Sequence, residues 1–175
     1  MSNRLDLYTI DNNYGNFLHR RDSKSPDISG RKSKRPFIGV IIMVNNKNYI
    51  APLTSPKEKH LTMRTQPDFM KIDNGYLGAI NFNNMVPINP SLCNRIVIQN
   101  EPNPQYKELL ENQYNWIKKN QDMINKKAQN LYNKYIEDKL PVNIKSRCVD
   151  FPWLEKALEI YLKRKPNEKI SEISR

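Results

Sequence analysis

The chain has 175 residues, the size of one ordinary domain, which buries roughly 70% of its unfolded surface and needs no metal or disulfide staple to fold. A hydrophobic content of 38% excludes a disordered tail, and 29 basic against 18 acidic residues leave a net charge of +11. That excess favours a polyanionic partner, nucleic acid ahead of an acidic membrane, without choosing between RNA and DNA.

Two cysteines, Cys93 and Cys148, occur without a CxxC pair or a His/Cys cluster at zinc-ligand spacing, so neither a disulfide framework nor a structural zinc site is expected. The first residues lack the apolar core of a signal peptide, and the longest apolar run, 37–44, is too short for a membrane span. The expectation is a cytoplasmic protein with reduced thiols.

Residues 5–10 have the composition of a first strand, and 11–21 suit a short helix with Tyr14, Phe17 and Leu18 on one face. Residues 22–36, rich in Ser, Pro, Gly and charge, predict a loop. The uninterrupted β-branched run 37–44 predicts a central strand buried on both faces. Asn45-Asn46 occupies a two-residue hairpin turn, and 47–53 returns as the partner strand. Residues 54–69 form a second polar, basic loop. Short strands are expected at 70–72, 77–82, 85–88 and 95–98, with turns at Asp73-Asn74-Gly75 and Asn83-Asn84. Short strands on short turns imply a highly twisted antiparallel sheet rather than βαβ units.

Asn103 as N-cap and Pro104 at the first helical position open a helical half. Tyr106, Leu109, Leu110, Tyr114, Ile117, Ile124, Ala128, Leu131 and Tyr135 keep one face of it apolar. Run straight over 104–138, this helix would be about 52 Å long at ~1.5 Å per residue, longer than a small domain is wide. A break is therefore expected at 119–122, Asn120 ending one helix and Asp122 capping the next. A last helix over 153–162 places Leu154, Ala157, Leu158, Tyr161 and Leu162 on one stripe, followed by a frayed or partner-held tail over 164–175. The whole is one α+β domain over 1–175, sheet-rich at 5–99 with a helical layer at 103–163.

The charge is unevenly placed. Between Asn16 and Arg64 lie eleven Lys/Arg and three acids, Asp22, Asp27 and Glu58, giving +8 of the total +11. Most of the excess thus sits on the two loops flanking the 37–53 hairpin, as around a phosphate-binding groove. Tyr8, Tyr14, Tyr49 and Phe69 lie near it in sequence, a pairing that suits single-stranded RNA, although for each tyrosine singly packing in the core is the favoured reading. At the end of the hairpin stands Ala51-Pro52-Leu53-Thr54-Ser55-Pro56-Lys57. Two hydroxyls and an ammonium within four residues, stiffened by prolines, can hold a phosphate. Read alone, such a string is more often a polar turn.

The string, with Phe37-Ile38-Gly39-Val40 before it, closely resembles the ToxN/AbiQ family, the endoribonuclease toxins of type III toxin–antitoxin systems. The resemblance extends to Tyr8-Thr9-Ile10 and Tyr14, to Leu77-Gly78-Ala79-Ile80-Asn81-Phe82, to Met85-Val86-Pro87-Ile88 and to Asn103-Pro104-Gln105-Tyr106-Lys107, covering most of 5–135 in matching order. It implies a fold similar to the Kid/MazF toxins. It further implies metal-free, cofactor-free cleavage of RNA to a 2′,3′-cyclic phosphate and a 5′-hydroxyl. Cellular or phage mRNA would be the substrate, with a part in phage defence by abortive infection. The inhibitory partner would be a small structured antitoxin RNA, processed from repeats and bound as pseudoknots in a closed protein–RNA ring. No DNA or membrane partner is implied.

Carried onto this chain, the resemblance makes Thr54, Ser55 and Lys57 the catalytic string and Tyr14 an aromatic lining it. Arg35 stands where the family carries a lysine, with Lys34 adjacent, and the resemblance leaves open which of the two serves. Lys32 and Lys59, from the two basic loops, join them as RNA-binding candidates, and His60 is either a proton carrier or a loop hydrogen bonder. The physical reading agrees: the substrate's 2′-hydroxyl is the nucleophile, so the protein supplies geometry, proton transfer and charge. Lys57 is expected to stabilise the phosphorane, partial desolvation also fitting it for acid/base work, while Thr54 and Ser55 orient the phosphate. A basic RNA-binding protein without chemistry is the alternative.

Overall fold

A computed structural model describes residues 5–28 and 39–173. Seven strands form one antiparallel sheet: β1 (Leu7–Ile10), β2 (Gly39–Val44), β3 (Lys47–Thr54), β4 (Phe69–Lys71), β5 (Ala79–Asn81), β6 (Val86–Pro87) and β7 (Cys93–Arg95). The order is β4-β5-β3-β2-β1-β7, with β6 also on β3. The expected α+β architecture is the one observed. β3 organises it: one edge pairs with β2 throughout, from Val44↔Lys47 to Gly39↔Pro52. The other edge meets β6 at Tyr49↔Pro87 and then β5 at Thr54↔Ala79. Asn45 and Asn46 have φ of 50° and 60°, the left-handed pair that a two-residue hairpin turn requires and that asparagine tolerates. β2 is central, as its composition predicts, but unequally covered: Ile42 and Val44 are wholly buried while Ile41 and Met43 are partly so.

Helix α1 (Asn12–Arg21) starts where Asp11 accepts a hydrogen bond from the Tyr14 N–H at 2.8 Å, and it buries Tyr14, Phe17 and Leu18. α2 (Glu58–Thr62) lies inside the segment expected to be loop, being too short to leave a periodic pattern. The long helix breaks as expected, into α3 (Pro104–Lys119) and α4 (Gln121–Ile136). Asn120 serves as the junction of both, and its side chain donates to the Trp116 carbonyl at 2.7 Å. Asp122 does not cap: a one-residue break places it already inside the first turn of α4. α5 (Val142–Lys145) was not expected, and α6 (Phe151–Ile173) is longer than its predicted 153–162. Asp150 caps α6 through the Trp153 N–H at 3.0 Å. Its backbone stays helical well past 164, across Pro166.

Sheet and helices meet at one carboxylate. Glu155 on α6 accepts hydrogen bonds from the Tyr49 hydroxyl of β3 at 2.5 Å and the Tyr132 hydroxyl of α4 at 2.8 Å, and from Lys47 at 2.6 Å. The rings of Tyr49, Tyr132 and Phe151 pack around it with centroids 5.7–6.1 Å apart. Burial pushes the Glu155 carboxyl up, but these three donors outweigh it and hold its pKa below the usual value. Tyr132 is correspondingly pushed up to about 12, by burial first and then by Glu155.

A carboxylate whose folded pKa is depressed contributes stability above its unfolded value of about 4.3, and loses it as pH falls through the folded value. Glu155→Gln should therefore cost roughly 1–3 kcal/mol at neutral pH and flatten the acid limb of the stability curve. Urea unfolding of both proteins from pH 7 downward measures this, and coincident midpoints at every pH would contradict it.

Candidate active site

The Thr54–Lys57 string leaves the sheet where β3 ends, and backbone contacts rather than side chains fix its path. The loop 72–78 lies against it. Gly78 has φ +95° and sits so close that a Cβ there would come within 1.9 Å of the Thr54 carbonyl oxygen. Gly75, φ +96°, would meet the His60 carbonyl oxygen at 2.4 Å in the same way. Only glycine combines left-handed backbone with this approach. From the other side Gln113, a buried polar residue of α3, donates to the Leu77 carbonyl at 2.8 Å.

His60 closes the turn after the string. Its Nδ1 accepts from the Lys57 backbone N–H at 3.1 Å, and its own N–H donates to the Lys57 carbonyl at 2.9 Å. The accepting Nδ1 assigns the ring proton to Nε2 in the neutral imidazole. Burial, then Lys59, Lys57 and Lys71, pull its pKa below the ordinary histidine value. His60 is 4% exposed. It is thus a loop hydrogen bonder through Nδ1 and also lines the cleft described next.

An open cleft of about 510 Å³ begins at this string. Thr54, Lys57, Lys59, His60 and Arg64 line it from the string and α2; Phe69, Ala79, Asn81 and Asn83 from β4, β5 and the turn after them; Asn143 and Arg147 from α5 and the residues following it. The Thr54 hydroxyl donates to the Ala79 carbonyl at 3.4 Å, a weak tether. Ser55 is exposed and does not line the cleft; Lys57 lines it and is exposed, so the partial desolvation expected of it is not seen in this structure. Asp68 is 3% exposed. Its carboxylate is gripped by Arg147 through two bonds of 3.0 Å. Among the described residues no group of three or more His, Cys, Asp or Glu gathers as a metal site would require.

Tyr14 does not line this cleft, contrary to expectation. Its ring is wholly buried against Tyr161, centroids 5.1 Å apart, and its hydroxyl donates to the Pro87 carbonyl at 2.6 Å, because α1 turns that face into the core. Lys32, Lys34 and Arg35 fall outside the described residues. Other cations near the hairpin serve packing: Lys47 binds Glu155, Lys24 donates to the Cys148 carbonyl at 3.1 Å, and Arg21 lies 3.3 Å over the Phe17 ring. Sequence reasoning missed Gly75, Gly78, Gln113, Asp68 and Arg147. The first two stood within segments already noted as a turn and a strand; the last two are 79 positions apart and nothing in their spacing links them.

A cation-lined cleft, open to solvent, with a hydroxyl and a lysine at the end of a sheet strand, defines a protein that handles phosphodiesters. The chain belongs to the ToxN toxins of type III toxin–antitoxin systems, whose family model matches residues 6–159, and it is an endoribonuclease. It is 30% identical over 164 residues to Endoribonuclease ToxN of Bacillus thuringiensis subsp. kurstaki, covering 90% of this chain and 84% of that one. Identity to Endoribonuclease ToxN of Pectobacterium atrosepticum is 32% over 144 residues, covering 78% and 84%. A solved structure from a type III system, in which a non-coding RNA pseudoknot selectively inhibits the toxin, superposes with a TM-score of 0.78 at 25% identity, covering 93% of this chain and all of that one.

Two outcomes are expected. Gly78→Ala should destabilise the fold by roughly 1–3 kcal/mol and displace the string, lowering RNA cleavage more than tenfold under conditions where the variant remains folded; thermal melts with parallel cleavage assays test this, and unchanged cleavage would contradict it. The neutral His60 contributes stability that is whole above about pH 6.5 and lost as pH falls through its lower folded value. Replacing it with Gln should make stability less sensitive to pH in that window, read from unfolding midpoints at pH 7.5 and 5.5 (both about a unit from that reference value).

Proposed function

We infer that this toxin cleaves RNA without a metal, by attack of a 2′-hydroxyl on its own phosphodiester, leaving a 2′,3′-cyclic phosphate and a 5′-hydroxyl. The observation that carries this reading is the placement of Thr54 and Lys57 together on the wall of one open, cationic cleft. Lys57 places an ammonium against the phosphoryl oxygens and stabilises the charge of the phosphorane as the RNA excludes water around it. Thr54 donates to the same phosphate, exchanging its weak bond to Ala79. Ser55, exposed and next to Thr54 in the chain, meets the ribose from the solvent side. His60 acts on the position of Lys57 rather than on protons, since its Nδ1 already holds the Lys57 N–H. Lys59 of the cleft and Lys32, Lys34 and Arg35 of the first basic loop meet flanking phosphates.

The substrates on this reading are cellular or phage mRNA. The same cleft processes a repeat-containing antitoxin transcript in the cytoplasm and is then occupied by the resulting structured RNA, the two alternating in a closed ring. Inhibition by a pseudoknotted RNA in the related structure supports this partner class.

Lys57→Ala should lower the single-turnover cleavage rate on single-stranded RNA by on the order of 10²–10³ with RNA binding retained, and Ser55→Ala by less. Product ends read by mass should carry the cyclic phosphate, and cleavage should persist in excess EDTA. Activity lost in EDTA and restored by magnesium, or wild-type rates in both variants, would refute the mechanism.

A further inference from the structure

The cleft contains a cation of a different kind from its lysines. Lys57 and Lys59 are exposed, and among the described residues no acceptor holds either ammonium, whereas Arg147 is aimed. Its Nε donates to Asp68 Oδ2 and its Nη2 to Oδ1, both at 3.0 Å, the parallel fork that fixes a guanidinium plane. The carboxylate beneath is itself immobile: the Asp68 side chain is 5% exposed, and its main-chain carbonyl accepts from the N–H groups of Phe82 and Asn83 at 2.9 and 3.1 Å. The Arg147 side chain is 46% exposed and lines the cleft. Among the described residues nothing accepts from its Nη1.

A staple between α5 and the sheet would not need this. The segment is already fastened by burial of Ile144, Cys148 and Val149, and by the Val149 N–H donating to the Asn83 carbonyl at 2.9 Å. The remaining donors of an oriented guanidinium suit a second anion. Single-stranded RNA presents one at every nucleotide, and a cleft of about 510 Å³ is of the size that holds drug-sized ligands, roughly 300–1,000 Å³, not a lone phosphate.

We propose that Arg147, oriented by Asp68, binds a non-scissile phosphodiester of the RNA beside the linkage held by Thr54 and Lys57, and so sets which linkage lies in register for cleavage. This rests on the endoribonuclease reading, and the test separates the two.

Oligoribonucleotides carrying one cleavable linkage, all other sugars 2′-O-methylated, are prepared with an uncharged methylphosphonate at each flanking position in turn. For the wild type, one position should lower kcat/KM by about tenfold or more, chiefly through KM. Arg147→Ala should show that loss on unmodified RNA and be indifferent to the methylphosphonate there. Its plot of log kcat/KM against log salt should be shallower by about 0.7, the value of one lost phosphate contact on a single strand. Asp68→Asn leaves the Arg147 cation in place but removes the carboxylate that aims it, so KM should rise several-fold with the salt slope unchanged. The proposal is overturned if no flanking methylphosphonate weakens the wild type, if Arg147→Ala remains sensitive to the same position, or if that variant changes base preference with an unaltered salt slope. Should Arg147→Ala fail to fold, the methylphosphonate scan on the wild type decides. Should the wild type cut no RNA, the endoribonuclease mechanism fails by itself, and binding of the fully 2′-O-methylated series still decides the subsite: a single sensitive position, felt by the wild type and not by the variant, supports it, and uniform binding refutes it.

Discussion

The approach of Gly78 to the Thr54 carbonyl is the contact on which the site depends. No side chain fits between these two stretches of backbone, so the 72–78 loop and the end of β3 behave as one rigid body, held from behind by Gln113 on α3. Gly75 repeats the device against His60, and His60 then grips the Lys57 peptide at both its N–H and its carbonyl. The result is a lysine fixed at its main chain and exposed at its side chain. For a reaction whose nucleophile belongs to the substrate, this division is physically sensible. The protein pays the entropy of ordering the backbone during folding, while the side chain adapts to a phosphate whose geometry changes along the reaction.

How much of this was legible in the sequence follows from the range of the interactions involved. Local signals were readable: the Asn45-Asn46 turn, the Asn103 cap and the break at Asn120 each depend on a few neighbouring residues, and each is present. The end of the hairpin was legible too, because Thr54 and Lys57 share one short segment. What could not be read was whatever required two distant segments at once. The Asp68–Arg147 fork joins positions 79 apart, and α5, four residues long, leaves no periodicity to announce the second partner. Tyr14 shows the converse error. Its own chemistry favoured the core and only the resemblance placed it at the site; the packing of α1 against Tyr161 puts it in the core.

Charge tells a similar story at larger scale. The basic excess around the hairpin reads as one groove, yet in the fold it divides. Lys47, Lys24 and Arg21 are spent on a carboxylate, a carbonyl and a ring, whereas Lys57, Lys59 and Arg64 face the cleft. Net charge therefore identified the class of partner correctly while overstating how many cations meet it. The cleft also draws on Arg147, which lies far outside the basic window of the sequence. A cation reaches a phosphate only through donors that no nearer acceptor holds, and which donors stay open is set by tertiary packing.

β3 joins the two halves of the argument. Lys47 and Tyr49 near its start meet Glu155, and Thr54 at its end enters the cleft. Seven residue steps at ~3.3 Å separate Lys47 from Thr54, about 23 Å of hydrogen-bonded strand. Over that distance direct electrostatic influence of the Glu155 carboxylate on a phosphate is screened away at physiological salt, where the Debye length is about 8 Å. The strand can still transmit position, because β2 pairs with it along its length and β6 and β5 fix its other edge at separate points. Loss of the Glu155 node thus weakens the fold from the helical side while the cleft end, independently clamped by the glycine loop, keeps its geometry until the sheet itself melts. Stability and chemistry are anchored at opposite ends of one strand, and each end has its own fastening.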